Sequence, residues 1–318
     1  MIDNFEEALW PDLPICDAHH HLWEHPSSPY MMRELTLDIS SGHRVVRTVF
    51  VECGSGYRED SPPALRPVGE TEFVVRADPG GIIGAIVGYA DLRVPDISDV
   101  LAAHIEAGAG RFRGIRQLSA WDASPEIRPS HTDPPPGLLG EPSFRSGLAI
   151  LGRAGLSYDV WLYHHQLPEL VDLARSHEDV PIIVDHLGGP IGMGPYRNRL
   201  EDVLAVWRSG MQQLALCPNV FVKLGGIGMP VFGMRWHERP ASTTSQALAE
   251  AWGPRIRWCI EQFGVERCMF ESNFPIDKGS CSYLVLWNAF KRSVITASPA
   301  EKAALFHDTA ARVYRTNG

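Results

Sequence analysis

Short apolar runs rich in β-branched residues recur along the whole chain, and polar residues close the first, sixth and eighth of them. The runs are Ile15–Ala18, Arg47–Glu52, Ile82–Tyr89, Phe112–Arg116, Ser157–Leu162, Ile182–Asp185, Val220–Leu224 and Cys268–Glu271. Their length and composition predict eight strands. Between most of them the apolar spacing becomes that of a helix, over Ile97–Ala107, Phe144–Ala154, Leu167–Arg175, Leu200–Leu214 and Ala247–Phe263. Strands alternating with helices imply a parallel sheet, and eight such units predict an α/β fold, a closed (β/α)8 TIM barrel. An open doubly wound sheet would carry a glycine-rich nucleotide loop after an early strand. Only Gly54-Ser55-Gly56 stands there. Ser298–Tyr314 predicts a closing helix pair, with Pro299 near its start.

Connections that follow strands are long and rich in Pro, Gly and Ser, as in Gly54–Val68, Ala120–Pro142, Leu187–Arg197 and Gly225–Ser245, whereas those leading back into strands are short. Long loops after strands place the chemistry on the C-terminal face of a barrel. Proline stiffens the Asp133–Gly140 stretch. No repeat or linker divides residues 1–318, so one domain is expected.

Composition narrows the class. Hydrophobic residues at 44% and charged residues at 21% exclude a disordered chain. A net charge of -9 opposes a nucleic-acid footprint. No apolar run approaches the ~18 residues of a membrane span. The acidic first fourteen residues lack the basic head and apolar run of a secretory signal. Six cysteines without a C-x-x-C pair fit a reducing cytoplasm.

Three clusters carry candidate chemistry. Asp17-Ala18-His19-His20-His21 ends the first strand. Residues two apart share a face, so His19 and His21 converge at the barrel mouth, where they can bind a metal or polarise a carbonyl; an exposed histidine cluster is the alternative. Asp185-His186 closes the sixth strand, either as site residues or as a buried pair ordering the loop. On the eighth strand Met269, Glu271 and Asn273 share a face. A buried Glu271 needs a partner, and Lys223 or Arg116 could supply it. The bland reading makes Glu271 and Lys223 a structural charge network below the site. Arg116 suits a substrate carboxylate through its planar fork, or else pairs with Glu52 or Glu271. Trp161, His164 and Gln166 follow the fifth strand as candidate substrate contacts, with Glu52 ending the second; a helix-capping role for His164 and His165 is the alternative. Trp236–Pro240 is a candidate flap over the pocket. No G-x-S-x-G elbow, P-loop or H-E-x-x-H motif is present.

Together these motifs resemble the amidohydrolase superfamily, in its amidohydrolase-2 branch of sugar-acid and 2-pyrone-4,6-dicarboxylate lactonases. The resemblance rests on DAHHHLW at Asp17–Trp23, FRGIRQ at Phe112–Gln117, the DHLGGP run from Asp185, VKLGG at Val222–Gly226 and ESNFP from Glu271, and it spans nearly the whole chain. It implies a TIM barrel and a catalytic set of His19, His21, His186 and Asn273. His19, His21 and His186 would hold a divalent metal, zinc foremost, or act without metal as hydrogen-bond donors to the carbonyl. Asn273 stands where the family carries an Asp that takes a proton from the attacking water. An amide cannot act as that base. His164, His165, Glu271, Asp185 and Asp277 are the candidate substitutes. The resemblance implies a hydrolase of a small carboxylated lactone or related cyclic ester. A metal-dependent non-oxidative decarboxylase and a catalytically silent metabolite-binding barrel are the alternatives. The implied partners are a small-molecule substrate, no nucleic acid, no membrane, and further copies of the chain in a homo-oligomer.

Overall fold

A computed structural model describes residues 6–25, 28–127, 131–238 and 243–316. Strands and helices alternate through the chain: β1 (Pro14–His20), α1 (Met32–Ile39), β2 (Arg44–Val51), α2 (Val68–Ala77), β3 (Ile83–Gly88), α3 (Ile97–Ala107), β4 (Phe112–Arg116), α4 (Pro142–Arg153), β5 (Ser157–Val160), α5 (Leu167–Ser176), β6 (Ile182–Val184), α6 (Leu200–Ala215), β7 (Val220–Leu224), α7 (Ser245–Phe263), β8 (Cys268–Phe270) and α8 (Tyr283–Ser293). The strands pair in sequence order, every pair parallel. Beyond the short β8, the Asn273 amide donates to His19 O and the His21 amide to Phe274 O, both at 2.8 Å, which closes the sheet on β1. The result is the predicted (β/α)8 barrel.

Alternation divides the core. Outward residues such as Phe50, Ile86, Ile115 and Phe270 pack beneath the helices. The inward set is small at its base, with Cys16, Ala18, Ala85 and Val87. Tyr314 seals that end. It follows α9 (Pro299–Ala303), a π-helical turn over Ala304–Asp308 and α10 (Thr309–Val313). Ser298 opens this segment with a capping box: its hydroxyl accepts from the Glu301 amide and the Glu301 carboxylate accepts from its own.

The predicted strands β5, β6 and β8 ran one or two residues too far. Their ladders stop at Val160, Val184 and Phe270, and the polar residues beyond serve the site rather than a neighbouring strand. Three helices carried no readable period. Helix α1 buries only Leu35. Helix α2 contains a Val-Val pair that reads equally as strand. Helix α8 buries nine of its eleven residues and so has no polar face. Among the described residues no helix is long and apolar enough to cross a membrane. All six cysteines are free. Of the expected flap, residues 236–238 form a short 3-10 turn, and residues 239 and 240 lie outside the described residues.

Candidate active site

The site begins with an irregularity in β1. Cys16 and Ala18 face inward, so strict alternation would put His20 inside. The β1–β2 register shifts between Asp17 and His20, and the phase resets. His20 turns outward, its Nε2 2.9 Å from Thr48 Oγ1. His19 and His21 turn in, with their Nε2 atoms 3.3 Å apart. Asp17 pins this bend: its carboxylate accepts from the Ser272 amide at 2.8 Å and from Tyr283 OH at 2.9 Å.

Partners place a proton on Nδ1 of two of the three imidazoles. His21 Nδ1 lies 2.8 Å from Val51 O, and a carbonyl can only accept. Its proton is therefore on Nδ1, and Nε2 is a bare lone pair. Burial, with His19 and Arg116 nearby, holds His21 well below the ordinary histidine range, hence neutral. His186 Nδ1 lies 2.7 Å from Glu271 Oε1, which places a proton on that nitrogen too. His19 Nδ1 sits between an acceptor and a donor, 3.0 Å from Glu271 Oε2 and 3.2 Å from Lys223 Nζ. Its Nε2 is 3.3 Å from Arg116 Nη1.

Glycines make room for this contact set. A Cβ on Gly225 would come within 2.3 Å of Glu271 Cγ, and one on Gly226 within 2.7 Å of the His186 ring. Burial pushes the Glu271 carboxyl up, but His186 and His19 outweigh it and hold the group at about 2.

Beneath the histidines lies a buried ionic layer. Lys223 Nζ is 2.6 Å from Asp159 and 3.0 Å from Asp185. Arg116 Nε is 2.8 Å from Glu52, and its Nη1 is 3.5 Å from Asp185. His131 Nε2 meets the other Glu52 oxygen at 2.8 Å. Four carboxylates (Glu52, Asp159, Asp185, Glu271) thus surround two fixed cations, Arg116 and Lys223. Burial disfavours charge on Asp185, but Lys223 and His19 hold it well below the ordinary carboxylate range. Burial raises Asp159, which Lys223 offsets only in part.

Above this layer opens a cavity of about 290 Å³, at the compact end of ligand pockets, which run from about 300 Å³ upward. His21, Arg116, His186 and Asn273 form its polar floor; Trp23, Leu118, Trp161, Met229 and Ile276 form apolar walls. Asn273 adopts a left-handed backbone, φ 54°, which asparagine tolerates better than most residues.

Five of the residues picked from the sequence, His21, His186, Asn273, Arg116 and Trp161, line the cavity. His19 lies directly beneath, and Glu52 stands behind Arg116. The other expectations need correction. Gln166 spends its amide on backbone, accepting from Trp121 N and Tyr163 N and donating to Ser119 O. His164 begins a 3-10 turn, edge-on to the Tyr196 ring. Neither lines the cavity. Lys223 pairs with Asp159 and Asp185, and Glu271 is not below the site but bonded to its histidines. Asp185 and His186 turn to different partners, Lys223 and Glu271, rather than to each other. Arg116 is already neutralised by Glu52 and Asp185, so it is no free anchor for a carboxylate. Sequence reasoning missed His131, which sits in a long proline-rich loop with no periodic signal.

The donor set suits a cation. The Nε2 atom of His21 is a lone pair without a proton, the Nε2 of His19 meets it with the ring of His186 beside His19, and the buried layer below them carries more negative than positive groups. Ligand atoms of His19, Asp185 and His186 lie within 4.8 Å of one another. Neutral imidazole is a common metal ligand, and the Glu271 contacts are of the kind that orient such ligands.

Residues 16–316 match the Amidohydrolase family, in its amidohydrolase-2 branch. The chain is 35% identical to an uncharacterized protein, y4mH, of Sinorhizobium fredii, over 96% of this chain and 99% of that one. It is 26% identical to an L-fucono-1,5-lactonase of Burkholderia multivorans, over 94% and 95% of the two chains. A crystal structure of an amidohydrolase from Burkholderia multivorans with bound zinc superposes with a TM-score of 0.75 at 23% identity, covering 95% of this chain and 99% of that one. With the barrel, the three converging histidines and the match across nearly all its length, the chain belongs to the amidohydrolase family and is a hydrolase.

Proposed function

We propose that this hydrolase opens a small, uncharged, hydroxylated lactone, with a divalent ion, zinc foremost, held by Nε2 of His19, His21 and His186. The observation that carries the reading is the imposed tautomer of His21, whose bare Nε2 meets His19 with the ring of His186 beside it. A bare nitrogen ligates a cation or accepts a hydrogen bond; it cannot donate one to a developing oxyanion. That disfavours the metal-free alternative, in which the histidines act as donors. The lactonase name of a relative supports the reaction class. The substrate is read as uncharged because Arg116 is neutralised by Glu52 and Asp185, and two further carboxylates, Asp159 and Glu271, stand among Lys223 and the histidines.

A divalent ion at these residues would polarise the ring carbonyl and lower the pKa of a bound water. The chain's own residues do the rest. Glu271 orients His186 and flanks His19, and Val51 O fixes His21. Arg116 Nη2 gives one N–H to Glu52 O and offers its second to the carbonyl oxygen. Trp23 and Trp161 wall the reacting carbonyl from bulk water. Water adds to the carbonyl carbon and the ring C–O bond breaks. The ring oxygen leaves as an alcohol, and the new carboxylic acid releases one proton at neutral pH.

The test pairs metal analysis of protein purified without added metal with a pH-stat assay over a panel of sugar lactones. About one divalent ion per chain and proton release that stops with His186→Ala are expected. Carbon dioxide release from a carboxylic acid, without ring opening, would instead identify a decarboxylase. Full turnover by demonstrably metal-free protein would sink the metal assignment.

A further inference from the structure

Asp277 lies one turn beyond Asn273, on the loop that follows β8, and is wholly buried. Its two carboxylate oxygens have separate duties. Oδ2 accepts from the Gly228 amide at 2.8 Å, on the loop after β7. Oδ1 accepts from Asn273 Nδ2 at 3.0 Å. The first contact needs glycine, since a Cβ on Gly228 would sit 2.9 Å from Asp277 Cγ. Ser280 Oγ locks the same loop by donating to Gly228 O at 2.7 Å. Asn273 thus faces the cavity with its amide nitrogen already engaged from behind.

We infer that Asp277 is a positioning residue that decides which end of the Asn273 amide meets the substrate. With Oδ2 on the Gly228 N–H, the ionised Asp277 carboxylate can only accept at Oδ1, so it takes the NH2 group and leaves the Asn273 oxygen toward the cavity; burial pushes Asp277 up to about 7, so this arrangement holds above that pH. A carbonyl oxygen there orients an attacking water, or a substrate hydroxyl, by accepting its hydrogen. An NH2 in the same place would repel that hydrogen. The chain has no carboxylate at position 273, yet it keeps an oxygen acceptor there because of a residue four positions later. This rests on the hydrolase reading above and adds to it a residue that does not touch the reacting atoms.

Two variants separate orientation from mere packing. In Asp277→Asn, the new amide must keep its oxygen on the Gly228 N–H, so its NH2 faces Asn273. Asn273 then turns over, every hydrogen bond is remade, and NH2 points into the cavity. The double exchange Asn273→Asp with Asp277→Asn keeps the same pairing but returns an oxygen to the cavity. The expected result is a fall in kcat of about a hundredfold for Asp277→Asn, with KM changed much less, and recovery to within about tenfold of wild type in the double exchange. Equal kcat in wild type and Asp277→Asn, or equal impairment of both variants, would overturn the inference. NMR of the Asn273 side-chain amide, assigned by its loss in Asn273→Asp, reads orientation without turnover. Its protons should be exchange-protected in wild type and exchange fast in Asp277→Asn. Protection unchanged by the substitution would also overturn it. If wild type opened no lactone, the function reading would fall while the exchange result still decided the role of Asp277.

Discussion

The chain presents paired histidines after two of its strands, and the two pairs behave in opposite ways. After β1, His19 and His21 turn into the barrel and bring their nitrogens together. After β5, His164 and His165 turn aside and stack among Tyr163 and Tyr196. The difference is where the ladder stops. β1 stays paired through His20, and a register shift re-aims its last residues. β5 ends at Val160, and His164 already belongs to a helical turn, whose spacing no longer follows the strand. A histidine is aimed by the element that holds it, not by its neighbours in sequence.

The comparison can be broken most directly by alanine. His186→Ala or His21→Ala should cut lactone turnover by about 10³-fold and lower bound metal, whereas His164→Ala should leave metal content and KM near wild type. Loss of metal in His164→Ala would overturn the distinction. A smaller effect is expected one layer back. Glu271→Gln leaves one acceptor for two imidazoles and should weaken metal affinity by about 10–100-fold, measured by competition with a chelator in folded protein. On the β5 side the expected effect is on stability alone. Gln166→Ala removes a clamp on three backbone groups and should cost about 1–3 kcal/mol in denaturant unfolding, with kcat per folded molecule unchanged. The smallest effect concerns pH. Burial lowers His164 to about 4, so between that value and the unfolded value near 6.5 the unfolded chain binds more protons. Stability from this residue is full above pH ~6.5 and is lost as pH falls toward 4. His164→Phe should flatten part of the acid limb of a Tm-against-pH curve; an unaltered limb would show that the imidazole is not buried neutral.

The barrel was legible because period alone separates strand from helix, and β4, β7 and α3 end where the apolar pattern ends. The histidines on β1 and β6 were legible because they follow apolar strands. What stayed hidden depends on distance between remote segments. Glu271 reads as an awkward buried acid until His186 is found 2.7 Å away, eighty-five residues earlier in the chain. Arg116 reads equally as an anion anchor or a partner of Glu52, and only the fold shows that Glu52 and Asp185 both hold it. His20 and His21 are the same residue type one position apart, and only the register shift tells the site residue from the one bonded to Thr48.

Tyr314 closes the floor of the barrel and donates to Asp159 at 2.6 Å, the carboxylate that holds Lys223 under the histidines. During synthesis this residue leaves the ribosome after all eight strands. The eight strands can emerge and pair before it does, but the ionic layer at their centre stays open to water from below. A nascent barrel would therefore hold its strands in place while its histidines still rest on a solvated, weakly coupled set of charges. The site acquires its electrostatics only once the segment that carries Tyr314 docks and dries the layer on which the chemistry stands.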